Sequence, residues 1–133
     1  LEGEGAPFMP WKGTHIGLQF ETTLPLESLV LKVQQATGEK AHAAPGGPSL
    51  VHNVGLVTGG AGAEIESAAA QGVDTFITGE GQHWTFTLAE ELGVNLVYGG
   101  HYGTETFGVK ALSAHLAEKF GVSREFVDHP TGL

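Results

Sequence analysis

The chain reads as an α/β protein, with a mainly parallel sheet and helices on both faces. Three observations lead there. From Val51 onward a cadence repeats in which an apolar run, a turn, a helical stretch and a Gly-Val pair succeed one another. The apolar runs at Asn53–Thr58, Asp74–Thr78 and Asn95–Tyr98 are short and rich in β-branched residues, the composition of strands buried on both faces. Strands that alternate with helices imply right-handed crossovers and parallel pairing.

Each element has its own signal. Gly72-Val73-Asp74, Gly93-Val94-Asn95 and Gly121-Val122-Ser123 place glycine where a helix ends in the left-handed conformation. By the same cadence Glu125–Asp128 is expected to form a further strand. Helices are expected near residues 63–71, 82–92 and 103–120. Ile65, Ala68 and Ala69 suit close packing on the sheet, and Trp84, Leu88 and Leu92 keep helical spacing. So do Val109, Leu112, Leu116 and Phe120. Residues 51–133 thus form one α/β lobe.

Residues 1–50 read as an edge region packed on that lobe. Thr14–Glu21 is a strand, Pro25–Thr37 an amphipathic helix with Leu26, Leu29, Val30 and Val33 on one face, and Ala41–Leu50 a loop around Pro45-Gly46-Gly47-Pro48. Phe8, Trp11, Phe20 and Trp84 fall outside the clearest core pattern and are expected to expose apolar surface.

Composition narrows the function classes. Fifteen acidic residues against six basic ones give a net charge of −9, and Arg124 is the sole arginine. Nucleic acid is therefore not expected as a partner. No apolar run approaches the length of a membrane span, and the Leu1-Glu2-Gly3-Glu4-Gly5 start resembles no signal peptide. The absence of cysteine removes disulfides, thiolate metal sites and a cysteine nucleophile, and fits a cytoplasmic protein. Any metal must then sit on His, Asp, Glu or backbone oxygen.

In a parallel sheet ligands gather at the C-terminal strand ends. Those ends read Thr58-Gly59-Gly60-Ala61-Gly62, Thr78-Gly79-Glu80-Gly81-Gln82-His83, Gly99-Gly100-His101-Tyr102-Gly103-Thr104-Glu105 and Asp128-His129-Pro130. His101 and Glu105 lie one helical turn apart and can face one point, as a metal-ligand pair or as a surface histidine with a first-turn acid. Glu80 and His83 are candidate catalytic groups: Glu80 as a general base or an acceptor behind a ligand, His83 as a donor to substrate. Their plain reading is a helix-start acid and a surface histidine. His129 can approach the same edge, whereas His15, His42, His52 and His115 lack supporting context. The Gly59–Gly62 turn offers part of a dinucleotide-binding fingerprint, with Ile65 where a third glycine belongs, or is simply a tight turn.

Several segments together resemble the NIF-three-like proteins, also called GTP cyclohydrolase 1 type 2 homologues. They are Thr58–Gly62, Gly72–Glu80 with His83, Gly100-His101-Tyr102-Gly103-Thr104-Glu105 leading to Gly108–Leu112, and Phe126–Leu133. The resemblance covers residues 50–133 in order and spacing. Over the first fifty it rests on Gly13, Gly17 and the helix that follows.

It implies a two-lobed α/β fold, a ring-shaped homohexamer and a dinuclear divalent-metal site between the lobes, holding zinc, iron, manganese or cobalt. His101 and Glu105 match the His and Glu that one lobe contributes. The other lobe of the family supplies an adjacent His pair and an Asp; this sequence has no adjacent histidines. With Leu1 at its start, the chain is expected to be the C-terminal half of a longer protein. The implied function is metal-dependent hydrolysis of a small molecule. The alternatives are a non-enzymatic, ring-forming metal-binding protein and a nucleotide-binding module using the Gly59–Gly62 turn.

Overall fold

The computed structural model describes residues 4–130. Leu1-Glu2-Gly3, and the Thr131-Gly132-Leu133 end of the family-like terminal segment, lie outside the described residues. Six strands and four helices follow in the order β1 (Ala6–Trp11), β2 (Thr14–Pro25), α1 (Leu26–Thr37), β3 (His42–Pro45), β4 (Leu50–Leu56), a 3-10 turn (Gly62–Glu64), α2 (Ile65–Ala70), β5 (Thr75–Thr78), α3 (Trp84–Leu92), β6 (Asn95–Tyr98) and α4 (His101–Phe120). One sheet runs β1-β2-β4-β5-β6-β3.

The α/β class holds, with the expected parallel trio at its centre. β4 pairs with β5 and β5 with β6, both parallel, in the register Val54↔Thr75 and Thr75↔Asn95. The sheet as a whole is mostly antiparallel, not mainly parallel. β1 with β2, β2 with β4, and β3 with β6 all pair antiparallel. The difference comes from the edges. β1 joins β2 through a tight turn at Lys12-Gly13, where both residues take positive φ. β3 lies within the expected loop. Its sequence, His-Ala-Ala-Pro, has little strand character, and its proline is tolerated because the strand sits at the sheet edge.

Helices cover both faces. α1 lays Leu26, Leu29, Val30 and Val33 against Val51, Val54, Ile77 and Val97. On the opposite face Ile65, Ala68 and Ala89 from α2 and α3 meet Phe76, Leu96, Val57 and Phe8. Phe8 is therefore core rather than exposed. Its neighbour Met9 (φ 56°) also turns inward, its amide donating to Gln71 Oε1 at 3.2 Å. Trp11 and Trp84 are exposed as expected, and Phe20 is half-buried.

Two packing expectations change. α3 buries Thr85 and Ala89, and Leu88 packs beside them, but Leu92, one turn beyond Leu88, faces outward. α4 forms where expected, yet only its first two turns are buried, through Gly103, Thr104 and Thr106. Val109, Leu112, Leu116 and Phe120 are all exposed. Helical periodicity marks an apolar face without saying what covers it. Glu125–Asp128 is not a strand. Residues 121–130, after α4, carry no regular structure and are tied back to it by Tyr102, whose hydroxyl donates to Asp128 Oδ1 (2.9 Å) and accepts from the His129 amide (2.8 Å).

Candidate functional site

The parallel trio delivers three glycine-containing turns to one edge. The turn after β4 is anchored by threonines. The Gly59 amide donates to Thr104 Oγ1 (3.0 Å), and Thr104 in turn donates to the Gly100 carbonyl (2.9 Å). The Gly59 carbonyl accepts from Thr78 Oγ1 (3.0 Å) and from the amides of Gly79 (2.8 Å) and Glu80 (3.1 Å). The turns after β4 and β5 and the start of α4 are thereby locked together. Sequence reasoning missed Thr78 and Thr104, since strand and helix threonines carry no signal that sets them apart.

Three side chains meet above this platform. α4 begins at His101 because Gly100, with φ of 90°, turns the chain off β6. One turn later Glu105 Oε1 lies 3.3 Å from His101 Nε2. Glu80, arriving from β5, places its Oε1 2.9 Å from His101 Nδ1. The imidazole thus stands between two carboxylates. Its pKa is raised chiefly by the hydrogen bond to Glu80. Partial burial opposes this, and the neighbouring charges of Glu105 and Glu80 add to it.

Gly59 makes room for this group, whereas Gly60 leaves space for ordinary contact only. A Cβ on Gly59 would stand 2.6 Å from Glu105 Oε1, at a φ of 71° that already favours glycine. A Cβ on Gly60 would lie 3.4 Å from both Glu80 Oε1 and His101 Cε1.

The other candidates sit farther out. His83 is exposed at the start of α3 and lines, with Glu80, His42, Phe86 and Tyr98, a cleft of about 570 Å³. Within it, burial raises the Tyr98 pKa against the opposing bond to Thr85 (2.8 Å). His129 reaches the Glu105 side of the edge beside Tyr102.

The Gly59–Gly62 turn does not offer a phosphate cradle. The amides of Gly59, Ala61 and Gly62 are already committed to Thr104, Thr78 and the Glu80 carbonyl, and α2 behind them has only six residues. The nucleotide-binding alternative loses its basis.

A divalent ion can be tested against the donors present. Two protein donors, each about 2.0–2.1 Å from a tetrahedral zinc, lie about 3.3–3.4 Å apart. The 3.3 Å between His101 Nε2 and Glu105 Oε1 fits that spacing, and imidazole with carboxylate suits such an ion. Among the described residues no group of three or more His, Cys, Asp or Glu side chains is arranged to hold a metal ion. The fit is therefore to half a coordination sphere.

Comparison with known proteins identifies relatives of the chain. The Duf34/NIF3 (NGG1p interacting factor 3) family model matches residues 5–131. The chain is 41% identical over 131 residues to the GTP cyclohydrolase 1 type 2 homolog of Deinococcus radiodurans, covering 96% of this chain and 49% of that protein. To the Pyrococcus horikoshii protein of the same name it is 39% identical over 130 residues, covering 96% and 52%. The crystal structure of TTHA1606 from Thermus thermophilus superposes with a TM-score of 0.83 at 39% identity, covering 98% of this chain and 52% of that one. The chain spans about half the length of the curated relatives it matches.

Proposed function

The chain belongs to the Duf34/NIF3 family, and on that footing we propose that it supplies one half of a divalent-metal centre, with His101 and Glu105 as ligands. The observation that carries the reading is the 3.3 Å approach of His101 Nε2 and Glu105 Oε1 on one helical turn, at the edge where the parallel strands end. The remaining ligands come from a second lobe, in keeping with relatives about twice as long. Zinc, iron, manganese and cobalt all suit such donors, with two ions in the complete centre.

The proposed activity is metal-dependent hydrolysis of a small molecule, in a cytoplasmic protein. The chemistry supplied by a bound divalent ion is polarisation of the substrate and acidification of water. The chain's own part is to hold and orient. His101 and Glu105 offer their lone pairs, Gly59 lets the Glu105 carboxylate approach, and the cleft beside Glu80 and His83 receives the substrate. His83, exposed at that rim, is the candidate proton donor to the substrate.

Zinc titrated into the native protein is expected to bind saturably. The isolated 133 residues, with two protein donors, should bind it only weakly. Native protein that takes up no zinc would contradict the reading.

We extend the proposal to assembly as a homohexamer. Among the described residues no helix is long and apolar enough to cross a membrane. The exposed stripe of Val109, Leu112, Leu116 and Phe120 on α4 is apolar surface that subunit contacts would cover. Sedimentation at micromolar concentration should show the assembly; a monomer alone would speak against it.

A further inference from the structure

Glu80 stands on the far side of His101 from Glu105, and its backbone is fixed before any ligand arrives. Its amide donates to the Gly59 carbonyl at 3.1 Å, and its own carbonyl accepts from the Gly62 amide at 3.0 Å. The carboxylate is half-exposed, so burial does not hold it there. The clamped backbone and the 2.9 Å contact with His101 Nδ1 do.

A neutral imidazole has one proton and two nitrogens. In this site each nitrogen faces a carboxylate, Glu80 at 2.9 Å from Nδ1 and Glu105 at 3.3 Å from Nε2. The proton can satisfy only one of them. If it sits on Nε2 it points at Glu105, and both metal donors are then occupied by their own hydrogen bond. If it sits on Nδ1, Nε2 keeps its lone pair and Glu105 keeps its oxygen free.

We propose that Glu80 is a positioning residue, which accepts the Nδ1 proton of His101 and so holds the imidazole in the tautomer that turns the Nε2 lone pair toward the point shared with Glu105. The inference rests on the metal-centre reading for its purpose, but not for its geometry. A carboxylate behind a ligating histidine fixes ring orientation and raises ligand basicity, and its loss typically weakens metal affinity about 10–100-fold. Glu80 touches neither substrate nor reacting atoms in this role; it acts through His101.

The test is a comparison of native protein with Glu80→Ala and Glu80→Gln. Nitrogen-15 NMR of the His101 ring is recorded on metal-free protein at about pH 9, above the ordinary imidazole range. The native ring should carry its proton on Nδ1. In Glu80→Ala the proton should move mainly to Nε2, toward Glu105. Glu80→Gln keeps an acceptor oxygen and should stay nearer the native pattern. Zinc affinity should fall about 10–100-fold in Glu80→Ala, with unchanged stoichiometry at saturation. An unchanged tautomer in Glu80→Ala overturns the inference, whether or not the native protein binds zinc. So does loss of zinc even at saturation, which would make Glu80 a ligand. Failure of the native protein itself to bind zinc would count against the metal centre alone, because the tautomer is read without metal.

Discussion

His101→Ala is expected to weaken zinc binding by the native protein by more than about 100-fold, beyond the 10–100-fold typical of losing an outer partner. Among the described residues the imidazole is one of two donors at the proposed shared point, and its loss leaves Glu105 as the single ligating side chain there. Glu105→Ala should behave alike. The double variant should be little worse than either single one, since residues that share one partner are not additive. Neither change should disturb the fold. His101 and Glu105 stand at the sheet rim with side chains about 37% and 58% exposed. Exposed ion pairs contribute about 0–1 kcal/mol. Denaturation midpoints of the metal-free variants should therefore stay close to native, while calorimetric zinc titration separates them sharply. Native-like zinc binding in both variants would remove these residues from the site.

Phe76→Ala is expected to lower the free energy of unfolding by about 3–5 kcal/mol, the usual cost of truncating a buried aromatic ring. Phe76 is fully buried on β5, which lies between β4 and β6. Its ring packs edge-on to Phe8, centroids 6.2 Å apart, within the cluster that includes Ile65, Ala68, Ala89 and Leu96. The backbone here has little freedom to close the void, because β5 is hydrogen-bonded on both sides. β5 also carries Thr78, Gly79 and Glu80 to the site, so the variant should lose zinc affinity as it loses stability. Denaturant titration measures the effect. A loss under about 1 kcal/mol, typical of surface positions, would show that the ring is not central to the core.

Much of the parallel centre was legible because its signals are local. Gly72 and Gly93 do adopt the left-handed conformation after their helices, and strands follow both. Gly121 adopts it too, at φ of 65°, yet no strand follows among the described residues. A glycine ends a helix whatever comes next, whereas a strand needs a vacant partner. β6 already has β5 on one side and β3 on the other, so residues 125–128 find no edge beside it. β1 and β3 escaped notice because they are short edge strands containing proline, and pairing alone makes them strands.

The site divides in the same way. His101 and Glu105 stood out because one helical turn joins them, a relation that sequence spacing contains. Glu80 was visible as a candidate, but its approach to Nδ1 depends on the β5–β6 register and on the clamp at Gly59. The commitment of the Gly59–Gly62 amides to Thr104, Thr78 and Glu80 is long-range, so the glycine pattern alone could not distinguish a phosphate loop from a structural turn. The exposed face of α4 shows the remaining gap. Its apolar spacing is plain in the sequence, but periodicity does not say what covers it.

If His101 and Glu105 share a divalent ion, its location can be observed directly. Crystals of the native protein loaded with zinc should be measured at wavelengths on either side of the zinc absorption edge. An anomalous peak is expected about 2.0–2.2 Å from both His101 Nε2 and a Glu105 carboxylate oxygen. Zinc seated on Nδ1 of His101, or bound elsewhere with both side chains free, would contradict this expectation.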